Sequence, residues 1–254
     1  MEEEAVLKLQ DLAVSYGDGK DVISSITLSV AVGEFAIVVG PNGGGKSTLL
    51  GAIAGTLRAH RGRIAIGGVE NNFHRVCCVF QNPTVGTVGN FTVFENMALA
   101  WRRHRWRLPL PALTARRKKI FCDRLAALSM GLEDRGDDPA RVLSGGQRQA
   151  LSLAMATLRD CDVLLLDEIT AALDPLASAR VMDLAESIVR QNSCACLAVT
   201  HSLQQAISYG DSVIAIGGGA MVAKFSAVEK STMSVADLLA HFEFPFANGQ
   251  SAPQ

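Results

Sequence analysis

Apolar and polar positions along the chain follow two different periods, which predicts an α/β fold. Continuous apolar runs occur at residues 35–39 and 163–166, and the strand expected at 195–200 is apolar up to Val199. Runs of this kind are typical of strands that are buried on both faces of a parallel sheet. Segments with helical spacing lie between these runs, so strands and helices are expected to alternate along the chain.

A second pattern, in which single apolar and polar residues alternate, occurs near the beginning of the chain. Residues from about 6 to 39 follow it around Gly17-Asp18-Gly19, a turn sequence, and they predict an antiparallel β-layer. The other elements predicted outside the middle of the chain are strands near 63–66 and 76–80, a hairpin at 212–227 around the glycines at 217–219, a helix at 234–242 and a frayed end at 249–254.

The middle of the chain has a helical pattern from about residue 91 to residue 140, with a break at Asp138-Pro139. We expect a separate helical lobe here. Residues 101–119 of this lobe are unusually basic, because eight of the chain's 24 Lys and Arg residues fall within them. Three interpretations stay open: a solvated loop, contact with anionic lipid or a membrane protein, and contact with nucleic acid.

A glycine-rich loop follows the first buried strand, with the sequence Gly40-Pro41-Asn42-Gly43-Gly44-Gly45-Lys46-Ser47-Thr48. It matches the pattern G-x-x-x-x-G-K-[ST], and residues 49–54 after it suit a helix. Glycines allow successive backbone N–H groups to point at one anion, and the helix N-terminus adds its dipole. Lys46 would contact the β- and γ-phosphates of a nucleotide, and the Ser47 hydroxyl would ligate Mg²⁺. The alternative is a glycine-rich turn without a ligand.

Asp167 and Glu168 directly follow the apolar run at 163–166, where a parallel strand would end. A carboxylate at this place can hold Mg²⁺, directly or through water, and we assign this role to Asp167. Neighbouring side chains of a strand point to opposite faces, so the two acids need not share a role. We predict that Glu168 is the general base that activates water. The alternative is an acidic surface turn.

The sequence Leu143-Ser144-Gly145-Gly146-Gln147 opens a segment at 147–156 that suits a helix. Ser144 can cap this helix, and the two glycines would leave its first amides uncovered by side chains. An uncovered helix N-terminus attracts phosphate. The alternative is an ordinary capped helix with no ligand.

Together these motifs resemble the nucleotide-binding subunits of ABC transporters, and the resemblance covers nearly the whole chain. It implies roles for four further residues. Tyr16 matches an aromatic residue that stacks on adenine, and Gln81 matches a glutamine that senses Mg²⁺ and the membrane partner. Asp174 belongs to a segment that matches a loop crossing the dimer interface, and His201 matches a switch histidine. It also implies that the motif at Ser144 binds the γ-phosphate of ATP held by a second subunit.

The function implied by the resemblance is that of an ATP-hydrolysing transporter subunit of the bacterial importer type, with ATP and Mg²⁺ as cofactors. The implied catalytic residues are Glu168, His201, Lys46 and Gln81, and the implied metal-binding residues are Ser47, Gln81 and Asp167. The implied ATP-binding residues are Tyr16, Gly40, Pro41, Asn42, Gly43, Gly44, Gly45, Lys46, Ser47, Thr48, Ser144, Gly145, Gly146, Gln147 and Asp174.

The fold implied by the resemblance is an α/β P-loop NTPase core of mainly parallel sheet, with an antiparallel β-subdomain and an α-helical subdomain. We expect one ABC-type nucleotide-binding domain over residues 1–254. The core with its antiparallel layer would take up about 1–90 and 150–230. The helical subdomain would take up about 91–149, and a C-terminal appendix about 231–254.

Composition supports a subunit that acts on a membrane through other chains. The formal net charge is −1, so no overall basic field indicates nucleic acid. The start, Met1-Glu2-Glu3-Glu4, lacks the regions of a signal peptide, and no apolar run reaches the roughly 18 residues that span a bilayer. The six cysteines form no C-x-x-C pair, which favours reduced thiols.

The partners implied by the resemblance are a second ATPase subunit, giving a homodimer, a transmembrane permease and a substrate-binding protein. We expect the chain on the cytoplasmic face of the membrane, and we expect no nucleic acid. The alternatives are an exporter ATPase, a soluble ABC-type ATPase that acts on nucleic acid or ribosomes, and a nucleotide-gated module without turnover. The chain has no sustained heptads and a single phosphate loop, which disfavours the soluble ATPase, and Glu168 disfavours the module.

Three features depart from the family pattern. Ile169 stands where proline is usual after the catalytic glutamate, and we expect a slightly altered loop with retained catalysis. Gly44 stands where alanine or serine is commoner, and this removes only a small side chain. A long segment at 82–93, after Gln81, departs from the pattern as well, and together with residues 94–100 it resembles a branch of bacterial importers, some of whose members are associated with aromatic amino acids.

Overall fold

The structure is a computed structural model that describes residues 5–17, 19–102, 113–158 and 160–247. Its strands are β1 (Ala5–Ser15), β2 (Asp21–Ala31), β3 (Phe35–Val39), β4 (Arg61–Ile66), β5 (Val69–Glu70), β6 (Val76–Val79), β7 (Val163–Asp167), β8 (Ala195–Val199), β9 (Ser212–Gly217) and β10 (Ala220–Phe225). Its helices are α1 (Lys46–Ile53), α2 (Pro83–Gly86), α3 (Val93–Arg102), α4 (Ala115–Ala126), α5 (Gly145–Ala156), α6 (Pro175–Asn192), α7 (Leu203–Ser208), α8 (Ala227–Ser231) and α9 (Val235–Ala247). These elements confirm the predicted α/β fold.

The strands of the described ranges form one sheet in the order β5-β4-β1-β2-β10-β9-β3-β8-β7-β6. β5, β4, β1 and β2 pair antiparallel, which confirms the predicted antiparallel layer. β9, β3, β8, β7 and β6 pair in parallel, as the continuous apolar runs indicated. The two parts meet at β10, which pairs antiparallel with β9 and makes a parallel bridge from Ala220 to Ser25 of β2.

The prediction that the antiparallel layer extends to residue 39 is wrong for β3. This strand lies in the parallel part of the sheet, between β8 and β9. All five of its residues are buried, so β3 has none of the exposed polar positions that alternate along β1 and β2. Complete burial of this kind is typical of a parallel strand that is covered on both faces.

The parallel part of the sheet is packed on both faces. Phe35, Ile37 and Val39 of β3 belong to one apolar cluster, which also contains residues of α5 and α6. Ala36 and Val38 belong to a second cluster, which contains residues of α1. Successive side chains of a strand point to opposite faces, so β3 contributes to both clusters. This packing fixes the ends of the strands, where the candidate site residues lie.

The helical lobe consists of α3, α4 and a stretch of turns and short 3-10 segments before α5. Regular α-helix in this lobe therefore ends at Ala126, and the rest of the segment expected to be helical up to residue 140 contains turns and short 3-10 segments. Residues 103–112 of the basic stretch lie outside the described residues. In its described part, Lys118 pairs with Asp137 at 3.0 Å. The domain limits expected from the sequence remain predictions.

The predicted hairpin and final helix are present as β9, β10 and α9. The helix runs to Ala247, beyond the expected end at residue 242. The end at 249–254, which was expected to be frayed, lies outside the described residues. Within the described ranges, every helix is too short or too polar to cross a membrane.

Candidate functional site

Three parallel strands end at the same edge of the sheet and deliver candidate site residues there. β3 leads into Gly40, β7 ends at Asp167 and leads into Glu168, and β8 leads into Thr200 and His201. Open α/β sheets bind ligands beyond the carboxyl ends of their parallel strands. The topology therefore gathers residues that are far apart in the sequence.

The glycine-rich loop surrounds the side chain of Lys46. Lys46 begins α1 and is almost fully buried, and its Nζ donates to the carbonyl oxygens of Gly40 at 2.8 Å and Pro41 at 3.0 Å. Gly45 precedes the helix with a φ of 102°, in the left-handed region that favours glycine. The loop and the N-terminus of α1 thus enclose one cation, an arrangement that suits phosphate.

The turn between β9 and β10 packs against this loop, and sequence reasoning missed the contact. Gly219 N donates to Gly44 O at 3.2 Å, and a side-chain carbon placed on Gly40 would lie 2.0 Å from Ile216 O. Gly219 has a φ of 80°, and a side-chain carbon there would lie 2.4 Å from Val22 O. Both glycines are needed because backbone approaches backbone. The glycines of the turn were the available signal, but they predicted only a turn.

Tyr16 lies beside the first turn of α1. Its hydroxyl is 3.1 Å from Oγ1 of Thr48, and 48% of its surface is exposed. The ring therefore projects from the antiparallel layer next to the phosphate loop, with enough exposed surface to stack on a base.

Glu168 and His201 meet across the ends of β7 and β8. Nε2 of His201 contacts a carboxylate oxygen of Glu168. The backbone N of Glu168 donates to Val199 O at 3.1 Å, and its φ is 48°, which is uncommon for residues other than glycine. Conformations of this kind cluster at active sites. The turn after β7 thus holds the carboxylate against the imidazole.

Burial and neighbouring charges shift the pKa values of two site residues. Burial lowers the pKa of the Lys46 ammonium, and Glu168 and Asp167 raise it in part. Burial and the charge of Glu168 raise the pKa of Asp167, and Lys46 and His201 oppose this shift. The charged forms of both residues would therefore be stabilised by counter-charges, a phosphate beside Lys46 and a metal cation beside Asp167.

Part of the predicted site lines one pocket, and the described residues that line it do not include Tyr16 or Asp167. Its lining residues are Val22, Asn42, Gly43, Gly45, Lys46, Ser47, Thr48, Glu168 and His201. The pocket therefore combines a phosphate-type loop with a hydroxyl, an ammonium, a carboxylate and an imidazole. This set of groups suits binding and hydrolysis of a nucleoside triphosphate.

Ser144 lies in a second pocket. It caps α5 by accepting from Gln147 N at 3.2 Å, and the side-chain oxygen of Gln147 accepts from Ser144 N at 3.2 Å. This reciprocal arrangement is a capping box, which confirms the predicted helix cap. The pocket is lined by Ser129, Met130, Ser144, Gly146, Gln147, Asp174, Leu176, Ala177 and Arg180. In the part of the chain that the structure describes, the phosphate loop and the Ser144 helix thus face separate pockets.

Gln147 and Asp174 make hydrogen bonds within the protein. Oε1 of Gln147 also accepts from Arg135 Nη1 at 2.8 Å, and Nε2 donates to Met130 O at 3.2 Å. Asp174 caps α6 by accepting from Ala177 N at 2.9 Å. Both side chains therefore shape the second pocket. The predicted contacts of these residues with ATP stay predictions.

Gln81 is exposed just beyond β6, the outermost strand of the parallel part. The residues that line the first pocket in the described ranges do not include it. Its assignments to catalysis and to the metal stay predictions.

Ile169, the unusual residue after Glu168, is buried at 4% exposure in the larger apolar cluster. Its side chain anchors the turn after β7 to the core. An apolar residue here is therefore compatible with the contact between Glu168 and His201.

Comparison with known proteins identifies the family. A family model described as "ABC transporter" matches residues 23–171. The tyrosine transport ATP-binding protein of Clostridioides difficile (strain R20291) is 35% identical, and the match covers 94% of this chain and 99% of the relative. The thiamine import ATP-binding protein ThiQ of Brucella abortus biovar 1 (strain 9-941) is 30% identical, and the match covers 95% of this chain and 97% of the relative.

A solved structure supports the fold. The structure of cbiO1 from Clostridium perfringens, part of the ABC transporter complex cbiONQ, matches with a TM-score of 0.78 at 24% identity. The match covers 96% of this chain and 98% of that chain. From the family model, the relatives and this fold, the chain belongs to the ABC transporter family as one of its ATP-binding, ATP-hydrolysing subunits.

Proposed function

We propose that two copies of this chain bind ATP and Mg²⁺ between them, and that hydrolysis drives import through a separate membrane permease. The observation that carries the proposal is the separation of the phosphate loop and the Ser144 helix into two pockets. A nucleotide on the loop leaves the N-terminus of α5 without a ligand in the same copy. In a two-fold dimer the same surfaces pair reciprocally, so each loop can meet the Ser144 helix of the other copy.

Each composite site would divide the chemistry among a few groups. Lys46 and the loop amides would stabilise charge on the transferring phosphoryl group, and the N-terminus of α5 would bind the γ-phosphate from the other copy. Ser47 and Asp167 would hold Mg²⁺, which neutralises phosphate charge, and Gln81 would join them from the end of β6.

The attack by water would be controlled at the ends of β7 and β8. Glu168 would accept the proton of the attacking water as general base. His201, which already contacts this carboxylate, would hold the γ-phosphate in line with the water. Hydrolysis would then remove the phosphate that joins the two copies, and the dimer would open.

A mixture of two inactive variants tests whether each site contains two copies. Lys46→Ala disables the phosphate loop, and Ser144→Arg blocks the N-terminus of α5. We expect each variant alone to lose at least about 100-fold in turnover. In a mixed dimer one site carries both changes and the other carries neither, so an equal mixture should recover about a quarter of the wild-type turnover. Turnover is measured as phosphate release at saturating ATP.

The matched control is a mixture of Lys46→Ala with Glu168→Gln. Both residues line the first pocket of their own copy, so every site of this mixture carries a change and no recovery is expected. An equal lack of recovery in the two mixtures would contradict a site that is shared between two copies.

We place the permease contact on an exposed apolar strip beside Gln81. By this strip we mean four exposed apolar residues of one short stretch of the chain, Phe80, Val85, Val88 and Phe91. The fully buried Asn96 of α3 fixes this segment, since its Oδ1 accepts from Val88 N at 2.7 Å and its Nδ2 donates to Phe91 O at 3.2 Å. A fixed apolar strip suits a helix of a membrane protein. This contact would place the chain on the cytoplasmic face of the membrane, with a substrate-binding protein as the third partner.

We propose an aromatic amino acid as the cargo, because the relative named for tyrosine transport is more similar than the relative named for thiamine import. Other chains select the cargo, so the test is uptake by cells. Deletion of the gene should abolish uptake of labelled tyrosine at low concentration, and the wild-type gene should restore it, whereas Glu168→Gln should not. Thiamine uptake is the control and should not change. Undiminished tyrosine uptake after deletion would contradict this cargo.

A further inference from the structure

A single side-chain amide, that of Gln205, joins three segments at the catalytic edge of the sheet. Gln205 lies in the first turn of α7, shortly after His201. Its Oε1 accepts from Thr200 Oγ1 at 2.8 Å and from Thr170 Oγ1 at 3.2 Å. Its Nε2 donates to Ser178 Oγ at 2.9 Å. All three partner residues are buried and Gln205 is half-buried, so these bonds are partly shielded from water.

Two of these bonds hold the groups that would act on water and on the γ-phosphate. Thr170 comes two residues after Glu168, and Thr200 directly precedes His201. Both hydroxyls donate to the same oxygen of Gln205, so the two segments are fixed at one common point. Movement of either segment would break a hydrogen bond of a buried hydroxyl, which proteins avoid.

The third bond reaches the border of the second pocket. Ser178 lies in the first turn of α6, where its N donates to Asp174 O at 2.8 Å. The second pocket, which Ser144 lines, is also lined by Asp174, Leu176 and Ala177. Gln205 therefore connects the turn beside one pocket to residues that line the other pocket.

We propose that Gln205 is a positioning residue that couples the positions of Glu168 and His201 to the position of the turn at Asp174. Hydrolysis in the first pocket then depends on whether another copy has closed on the second pocket. The inference rests on the proposed function, in which the two pockets of one copy contact different nucleotides. When another copy closes on the turn at Asp174, a displacement of α6 is passed through Ser178 and Gln205 to the catalytic pair. A planar amide suits this role because it offers an acceptor for two hydroxyls and a donor for a third on one rigid group.

Three variants of the full chain separate the links. Gln205→Leu removes all three bonds, and Ser178→Ala removes only the bond to α6. Gln205→Glu keeps all three, because its two oxygens can accept from the hydroxyls of Thr170, Thr200 and Ser178.

The readout is the split between kcat and KM for ATP. We expect kcat to fall about 10- to 100-fold in Gln205→Leu and about tenfold in Ser178→Ala, with KM within about twofold of wild type, because misplaced groups slow the chemical step and leave binding intact. Gln205→Glu should keep at least about a third of the wild-type kcat.

Gln204→Leu is the matched control. Gln204 is the exposed neighbour on α7, and its Nε2 donates to Ser208 Oγ at 3.4 Å. This variant should keep the wild-type kcat. Ser178→Ala removes a single hydroxyl, so it keeps the test decisive even where Gln205→Leu fails to fold.

Three results would overturn the positioning role. The first is an unchanged kcat in both Gln205→Leu and Ser178→Ala. The second is a loss of ATP affinity in these variants that equals their loss of kcat. The third is a Gln205→Glu variant that is as inactive as Gln205→Leu. Glu168→Gln in the same assay distinguishes this failure from failure of the proposed function. Normal turnover of the Glu168→Gln variant would contradict the role of Glu168 as general base. If Glu168→Gln loses turnover while Gln205→Leu keeps the wild-type kcat, only the positioning role of Gln205 is contradicted.

Discussion

Replacement of Glu168 by glutamine is expected to lower ATP turnover by at least about 100-fold while ATP binding persists. The amide has nearly the same shape as the carboxylate, but it does not take a proton from water at neutral pH. Because the phosphate loop and the Ser144 helix are unchanged, ATP should still join two copies, and an ATP-bound dimer should accumulate. Phosphate release reports turnover, and sedimentation with and without ATP reports the dimer.

The control for this experiment is Glu70→Gln, the same chemical change on an exposed residue of β5. It should leave turnover and sedimentation as in the wild type. A wild-type rate in Glu168→Gln would assign water activation to another group. The contact between Glu168 and His201 would then have a structural role only.

Replacement of Gly40 by alanine is expected to weaken ATP binding by at least about fivefold, because forced overpacking of this kind costs about 1–3 kcal/mol. The added carbon would lie 2.0 Å from the carbonyl oxygen of Ile216, so either the loop or β9 must move. Lys46 would move with the loop, because its Nζ donates to Gly40 O. Binding is measured with a fluorescent ATP analogue, and the melting temperature is expected to fall as well.

Gly44→Ala is the matched control in the same loop. The added carbon would lie 3.0 Å from Pro41 O and 3.4 Å from Ile216 O, so a shift of a few tenths of an ångström accommodates it. We expect ATP affinity within about threefold of wild type, since such a shift costs at most about 0.6 kcal/mol. Equal affinities of the two variants would show that the approach of β9 to Gly40 does not set the loop geometry.

The sequence predicted those features that depend on short-range patterns. The continuous apolar runs located β7 and β8, because a strand buried on both faces has no polar positions. Ser144 was predicted to cap α5, and the structure contains this cap together with the reciprocal bond from Ser144 N to the side chain of Gln147. The glycines at 217–219 located the final hairpin because few other residues allow so tight a turn.

The features that escaped prediction depend on contacts between segments that are distant in the sequence. The pattern of β1 and β2 was extended into β3, because alternation alone does not reveal which partner a strand will pair with. The packing of Ile216 against Gly40 and the three bonds of Gln205 join separate elements, and a polar residue on a short helix gives no sign of them. The division of the motifs between two pockets likewise follows from the whole fold.

Because the phosphate loop and the Ser144 helix face different pockets, the specific activity of the isolated chain should fall on dilution. A permease that holds two copies side by side would remove this dependence by raising their effective concentration. Copies that are not assembled with the permease would therefore hydrolyse little ATP. The permease would bring together the two copies that form the active enzyme.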